Sequence, residues 1–199
     1  MSGAFVTIDG PNGSGKSSIC RLVAQQLESL HIPKILTREP TDTELGQFAR
    51  RAEEHYSMES LACLMAADRY HHLQTSILPA LKKGLVVICD RYVESSLVFQ
   101  RMDDLPLDFI WNLHARIHIP DLSVILHVSP TTIAQRLAER PILSRFERQG
   151  GEQECQYYQD AAVFLQARGY NVCICENEYT SIQHNAETIV TMIRNLLSR

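Results

Sequence analysis

Apolar positions follow two rhythms along the chain, and the rhythms alternate. Short runs dense in Val, Ile and Leu read as buried strands at Ala4–Asp9, Lys34–Thr37, Leu85–Asp90, Leu122–Val128 and Tyr170–Cys175. Helix-spaced stretches lie between and after them, at Ser17–Leu30, roughly Leu45–Glu53, Met58–Lys83, Leu107–Ile117, Pro130–Arg140, Glu152–Arg168 and Ala186–Leu197. Gly84 and Gly169 stop the helices ahead of the third and fifth strands. Alternation of this kind predicts an α/β fold of three layers, α/β/α, in which a five-stranded parallel sheet is covered by helices on both faces. No repeat or low-complexity tract interrupts the pattern, so residues 1–199 read as one domain.

An open parallel sheet binds its ligand beyond the C-terminal ends of its strands. Gly10, Arg38, Glu39, Asp90 and Arg91 all come directly after strand ends, so the pattern gathers them on one rim. At the first of these ends, Gly10-Pro11-Asn12-Gly13-Ser14-Gly15-Lys16-Ser17 spells G-x-x-x-x-G-K-S between a strand and a helix, which makes a P-loop. Its backbone N–H groups and the following helix N-terminus form a concave anion site. In that setting Lys16 bridges the β- and γ-phosphates and the Ser17 hydroxyl ligates Mg²⁺. The expected fold is therefore a P-loop NTPase.

Composition narrows the class. With 45% hydrophobic and 21% charged residues, 199 residues suit one globule with a sizeable core. A net charge of −4 lacks the basic excess that a long nucleic acid calls for, so the expectation is no nucleic-acid polymer and local anion sites. The cysteines at 20, 63, 89, 155, 173 and 175 show no C-x-x-C pair and read as small residues in a reducing cytoplasm. No run approaches the length of a membrane span and no leader precedes the first strand, so neither secretion nor a membrane is expected.

Other segments carry chemistry with an alternative beside it. Arg38, in Thr37-Arg38-Glu39-Pro40, can fork onto a phosphate, or else pair with Glu39 at the surface. Leu85–Asp90 has the form of a Walker B strand whose carboxylate helps hold Mg²⁺, with Arg91 as a second phosphate clamp; a structural Asp–Arg pair is the plainer reading. Asp68-Arg69 reaches a site only from an inward helix face and is otherwise a solvated pair. Arg136, Arg140, Arg145 and Arg148 crowd around Pro141 just before Gly150-Gly151, which predicts a mobile lid over about 140–151 that neutralises transferred charge and excludes water; the alternative is a solvated basic face. The histidines, His71 and His72 included, and Tyr157 and Tyr158 read as surface or packing residues. Leu107–Ile117 with Trp111 suits a homodimer face as readily as a core helix.

Taken together, the P-loop, T-R-E-P at 37–40, A-D-R at 67–69, D-R-Y-V-E-S-S at 90–96 with Gln100, Pro120-Asp121-Leu122, and the arginine-rich segment closing on Arg145-Phe146-Glu147 resemble the thymidylate kinase family, from about residue 3 to the C-terminus. The resemblance implies an ATP-dependent nucleoside monophosphate kinase with ATP and Mg²⁺ as cofactors. It implies that Gly10, Pro11, Asn12, Gly13, Ser14, Gly15, Lys16, Ser17, Ser18 and Arg136 serve ATP, with Ser17 and Asp90 on the metal. The acceptor then meets Asp9, Arg38, Glu39, Met65, Arg69, Arg91, Ser95, Ser96, Phe99 and Gln100. Lys16, Asp90, Arg91 and a lid arginine, Arg140, Arg145 or Arg148, would be catalytic, since position 13 is Gly where one branch of the family has Arg. Met65 stands in place of a stacking Phe, Phe99 in place of a Tyr, Asn12 in place of an acidic residue, and Thr41-Asp42 in place of Gly-Gly. The expected reaction moves the γ-phosphoryl of MgATP to a pyrimidine deoxynucleoside monophosphate, dTMP first. A different or modified pyrimidine nucleotide, a nucleoside kinase and a nucleotide-dependent switch are the alternatives.

Overall fold

The computed structural model describes residues 3–198, and in it five parallel strands form one sheet in the order β2-β3-β1-β4-β5. The strands are β1 (Ala4–Asp9), β2 (Lys34–Arg38), β3 (Val86–Asp90), β4 (Leu122–His127) and β5 (Val172–Glu176). Arg38 lies beside Asp90 and Ile8 beside both Asp90 and Val124, so the strand ends fall together on one rim. Alternation along β1 then divides the core. Val6 and Ile8 face α1 (Lys16–Ser29) and α10 (Ile182–Leu197), where they pack among Ile19, Val23, Ile189 and Ile193. Phe5 faces the other way, among Tyr92, Leu97, Ile110, Tyr158 and Leu165. That layer holds α5 (Val93–Met102), α6 (Leu107–Leu113) and α9 (Glu152–Gln166).

The remaining helices are α2 (Glu44–Ala52), α3 (Met58–His72), α4 (Leu78–Lys82), α7 (Pro130–Ala138) and α8 (Arg145–Gln149). Among the described residues no helix is long and apolar enough to cross a membrane. All six cysteines are free thiols.

Four departures from the sequence-based elements have a reason in the local chain. The expected single helix over Met58–Lys83 is α3, a π-helical turn at Leu73–Ile77, and α4. Pro79 has no N–H to give the carbonyl one turn back and its ring crowds that carbonyl, so the ladder widens just ahead of it. α5 has no counterpart in the sequence reading: Val93 to Gln100 are all buried although Glu94, Ser95, Ser96 and Gln100 among them are polar, so apolar spacing does not trace the buried face. The lid, expected as a loop, contains α8, begun by a capping box in which Ser144 and Glu147 satisfy each other's backbone N–H groups. α10 begins at Ile182, four residues before the expected Ala186, where the Ser181 side chain caps it.

Trp111 on α6 packs edge-on against Phe164 at 5.3 Å, and its neighbour Ile110 is buried. The segment thus closes the core at its edge.

Candidate active site

The P-loop path depends on backbone that side chains rarely adopt. Gly10 has φ 145°, and a Cβ there would stand 2.8 Å from the Leu126 carbonyl oxygen. Gly15, at φ 95°, caps α1, and its Cβ would meet Asn177 Nδ2 at 2.9 Å. The turn closes on itself. Lys16 is buried, and its ammonium donates to the carbonyls of Gly10 and Pro11, both at 2.8 Å. Burial, with Arg91 nearby, lowers its pKa to about 8. A phosphate bound in the loop would compete with those two carbonyls for the ammonium and hold it charged.

Ser17 Oγ donates to Asp90 Oδ2 at 2.5 Å, across the gap from the start of α1 to the end of β3. Two hard oxygen donors held together at the mouth of a phosphate loop fit Mg²⁺, and these two residues would hold it. A second group of potential ligands does not fit a metal. Glu39, His72 and Cys89 bring ligating atoms within 4.8 Å of one another. However, Glu39 is bonded to Arg69 at 2.7 Å, His72 gives one nitrogen to Glu39 and the other to Thr37, and the Cys89 thiol donates to the Arg91 carbonyl.

Beside the P-loop opens a cavity of about 420 Å³. Asn12, Gly13, Gly15, Lys16, Ser17, Ser18, Arg38, Glu39, Met65, Arg69, Asp90, Arg91, Ser95, Ser96, Phe99, Gln100 and Arg140 all line it, so residues from six segments of the chain meet as the sequence reading expected. Gln100 is buried, and its Oε1 has no partner in the protein, which leaves an acceptor free for an N–H of a ligand. Asp9, Gly10, Pro11, Ser14, Arg136, Arg145 and Arg148 do not line the cavity. Asp9 lies beneath it, accepting from the N–H groups of Gly10, Tyr92 and Ser95. Arg136 sits outside the loop, donating to the carbonyl of Gly13 at 3.1 Å.

The lid arginines separate by partner. Arg140 lines the cavity and is paired with Glu147, another cavity residue. Arg145 forks onto Asp103 at 2.6 and 2.9 Å, and Arg148 pairs with Glu54 at 2.6 Å, and neither lines the cavity. Arg38 is half exposed and held by Asp42, whose hydrogen bond raises its pKa.

Two guanidinium groups lie deeper, Arg69 buried and Arg91 partly so. Arg69 donates to Glu39 at 2.7 Å, Ser96 at 2.8 Å, the Tyr92 carbonyl at 2.7 Å and the His114 ring at 3.0 Å. Burial and Arg69 hold His114 neutral, its pKa lowered to about 2, which leaves a ring nitrogen free to accept. Asp68, one residue before, accepts from both the N–H and the hydroxyl of Thr41 and so pins the loop after β2 onto α3. It is no solvated pair. Arg91 has φ 75°, a left-handed conformation rare for a side-chain-bearing residue, and its guanidinium donates to Asn12 Oδ1 at 2.6 Å, Ser95 Oγ at 3.0 Å and the Tyr158 hydroxyl at 3.2 Å. Burial alone would lower its pKa, but Tyr158, Asp9, Asp90 and Glu154 carry it above the ordinary value.

The structure therefore adds residues to the site that the sequence reading left out. Pro40, Arg50, Glu53, Ser144, Phe146 and Glu147 line the cavity, and His72, His114, Glu154 and Tyr158 hold its lining in place. S-R-F-E at 144–147 carried a capping-box signal, but the buried histidines and Tyr158 carried none.

Comparison with known proteins agrees along the chain. The family model described as thymidylate kinase matches residues 8–188. A probable thymidylate kinase of Pyrococcus abyssi is 34% identical over 99% of this chain and 98% of its own length. One of Caldivirga maquilingensis is 38% identical over 72% of each, and a thymidylate kinase of Rickettsia typhi is 35% identical over 73% of this chain and 75% of its own.

Proposed function

The chain belongs to the thymidylate kinase family, and on that premise we propose that its cavity is where ATP hands its γ-phosphoryl group to dTMP, giving ADP and dTDP. One observation carries this reading. Lys16 and Ser17 of the P-loop line the same cavity as Arg38, Arg91 and the unpartnered Gln100 oxygen, so a donor's phosphates and an acceptor's phosphate and base have partners in one space.

The acceptor phosphate is itself the nucleophile, so the protein's work is alignment, charge neutralisation and exclusion of water. P-loop N–H groups and Lys16 grip the donor phosphates. Ser17 and Asp90 would hold Mg²⁺, which when bound neutralises phosphate charge. Arg38 and Arg91 orient the acceptor phosphate, Gln100 Oε1 accepts the pyrimidine N–H, and Met65 lies along the base. Arg140 is the lid arginine that reaches the transferring group, because it lines the cavity and Arg145 and Arg148 do not. A nucleoside kinase or a switch protein would not call for two guanidinium groups on the acceptor side, and the relatives' names do not favour either.

The reading places the chain as one kinase domain with a lid at about 140–151, in a reducing cytoplasm, supported by its unpaired cysteines. It includes a homodimer, supported by the exposed apolar Val163 on α9, the helix whose Phe164 packs on the partly exposed Trp111. Nucleoside monophosphates assayed in turn with MgATP test the function. We expect dTMP to lead, by less than about 10³ over dUMP because Met65 offers no ring, and Met65→Phe to widen the gap by about 1 kcal/mol. Preference for thymidine over dTMP, or no transfer to any monophosphate, would overturn it.

A further inference from the structure

Two buried residues on one face of α9 have no part in the chemistry above. Glu154 is fully buried and Tyr158 nearly so, and a spacing of four sets them one above the other. Glu154 Oε1 accepts the Asn12 backbone N–H at 2.7 Å. Asn12 Oδ1 in turn accepts from Arg91 at 2.6 Å, and Arg91 donates to the Tyr158 hydroxyl at 3.2 Å. The path leaves α9 at Glu154, crosses the P-loop and the end of β3, and returns to α9 at Tyr158. Tyr158 also donates to Asp9 Oδ1 at 2.8 Å. The other Glu154 oxygen is buried without a partner, and a Cβ on Gly150 of the lid would come within 2.4 Å of it.

We propose that Glu154 and Tyr158 are positioning residues for phosphoryl transfer: the closed circuit Glu154–Asn12–Arg91–Tyr158 fixes the Arg91 guanidinium toward the acceptor and ties that orientation to the lid through α9. The inference rests on the function proposed above. A guanidinium has many rotamers, and holding it from two sides removes the ordering cost that acceptor binding would otherwise meet. The α9 side of the circuit begins directly after Gly151, so a lid movement that shifts α9 releases Arg91 as well.

Tyr158→Phe isolates the hydroxyl. The ring stays in the core, and Asp9 Oδ1 keeps the Gly10 N–H and Ser95 Oγ, both at 2.9 Å, so no buried acceptor is orphaned. We expect the acceptor KM to rise about tenfold, the ATP KM to stay within about twofold, and the melting temperature to hold within about 3 °C. In an Arg91→Ala background the same change should add nothing, because the residue it acts through is gone. Asn12, Ser95 and Asp9 still hold Arg91 in Tyr158→Phe, so side-chain ¹⁵N relaxation of the substrate-free protein should show its Nε–H measurably less ordered in that variant than in wild type. An Arg91 signal and acceptor KM that ignore Tyr158→Phe would overturn the circuit, as would a full effect persisting without Arg91. Absence of dTMP turnover in the wild type would overturn the functional reading instead, and the relaxation measurement would still decide the circuit.

Discussion

On the proposed reading one short stretch, Asn12 to Ser18, supplies the donor half of the cavity, whereas the acceptor half draws on Arg38 after β2, Met65 and Arg69 on α3, Arg91 after β3, and Phe99 and Gln100 on α5. The polar groups of the two halves are satisfied in correspondingly different ways. In the P-loop, Lys16 bonds carbonyls five and six residues back and the Ser14 N–H bonds Pro11, so the lysine is held by the loop's own backbone, while Glu154, Arg136 and Asn177 brace that backbone from outside. On the acceptor side, Arg69 is held by Glu39, Ser96 and His114, and Arg91 by Asn12 and Tyr158, contacts that exist only once the sheet and helices are assembled. The Lys16 side chain can therefore be removed at the expense of chemistry alone, while a buried acceptor-side guanidinium also carries the fold.

The widest separation should come from Lys16→Ala. It removes the charge at the transferring phosphate and relieves a buried ammonium, so kcat should fall by about 10³ or more with no loss of thermal stability. Arg69→Ala should instead strike the fold. It leaves Glu39 buried without its guanidinium partner, and urea unfolding should report a loss of about 3–5 kcal/mol. If Arg69→Ala folds as well as Lys16→Ala, the contrast between the halves is gone.

A pH titration sharpens the same contrast, because α5 carries a buried carboxyl that the P-loop lacks. Glu94 accepts from Thr7 at 2.7 Å and from Ser123, and its second oxygen has no partner. Burial, with Asp9 beneath the cavity adding repulsion, raises its pKa from 4.5 to about 7. A raised folded-state value means the native protein binds this proton more tightly, so its contribution is full below about pH 4.5 and is lost as pH rises through 7. Glu94→Gln should gain on wild type across that window by up to about 3 kcal/mol at pH 8, with little difference at pH 4. A constant difference between the two proteins over that range would contradict this.

The smallest effects divide the lid. Arg140→Ala should lower kcat about thirtyfold with unchanged stability, since Arg140 faces the cavity. Arg145→Ala should cost about 1 kcal/mol of stability through its lost fork to Asp103, with kcat within about threefold of wild type. Reversed phenotypes would move the lid's role from Arg140 to Arg145.

How much of this was legible follows from the same difference. The P-loop, the strands and Asp90 were readable because a contiguous motif and a run of apolar residues report on themselves. α5 was not, since it buries the polar Glu94, Ser95, Ser96 and Gln100 along with its apolar residues, and α8 was hidden behind Pro141 and two glycines although Ser144 and Glu147 announce its start. His114 and Tyr158 acquire their roles from Arg69 and Arg91, partners 45 and 67 residues away, and nothing local to either residue signals them.

In the proposed reaction one cleft holds donor and acceptor end to end. An inhibitor joining adenosine to thymidine through a chain of five phosphates fills both halves at once if that is so. It should compete with ATP and with dTMP alike, and Lys16→Ala and Arg38→Ala should each weaken its binding. Competition with only one substrate, or binding indifferent to either substitution, would contradict the account.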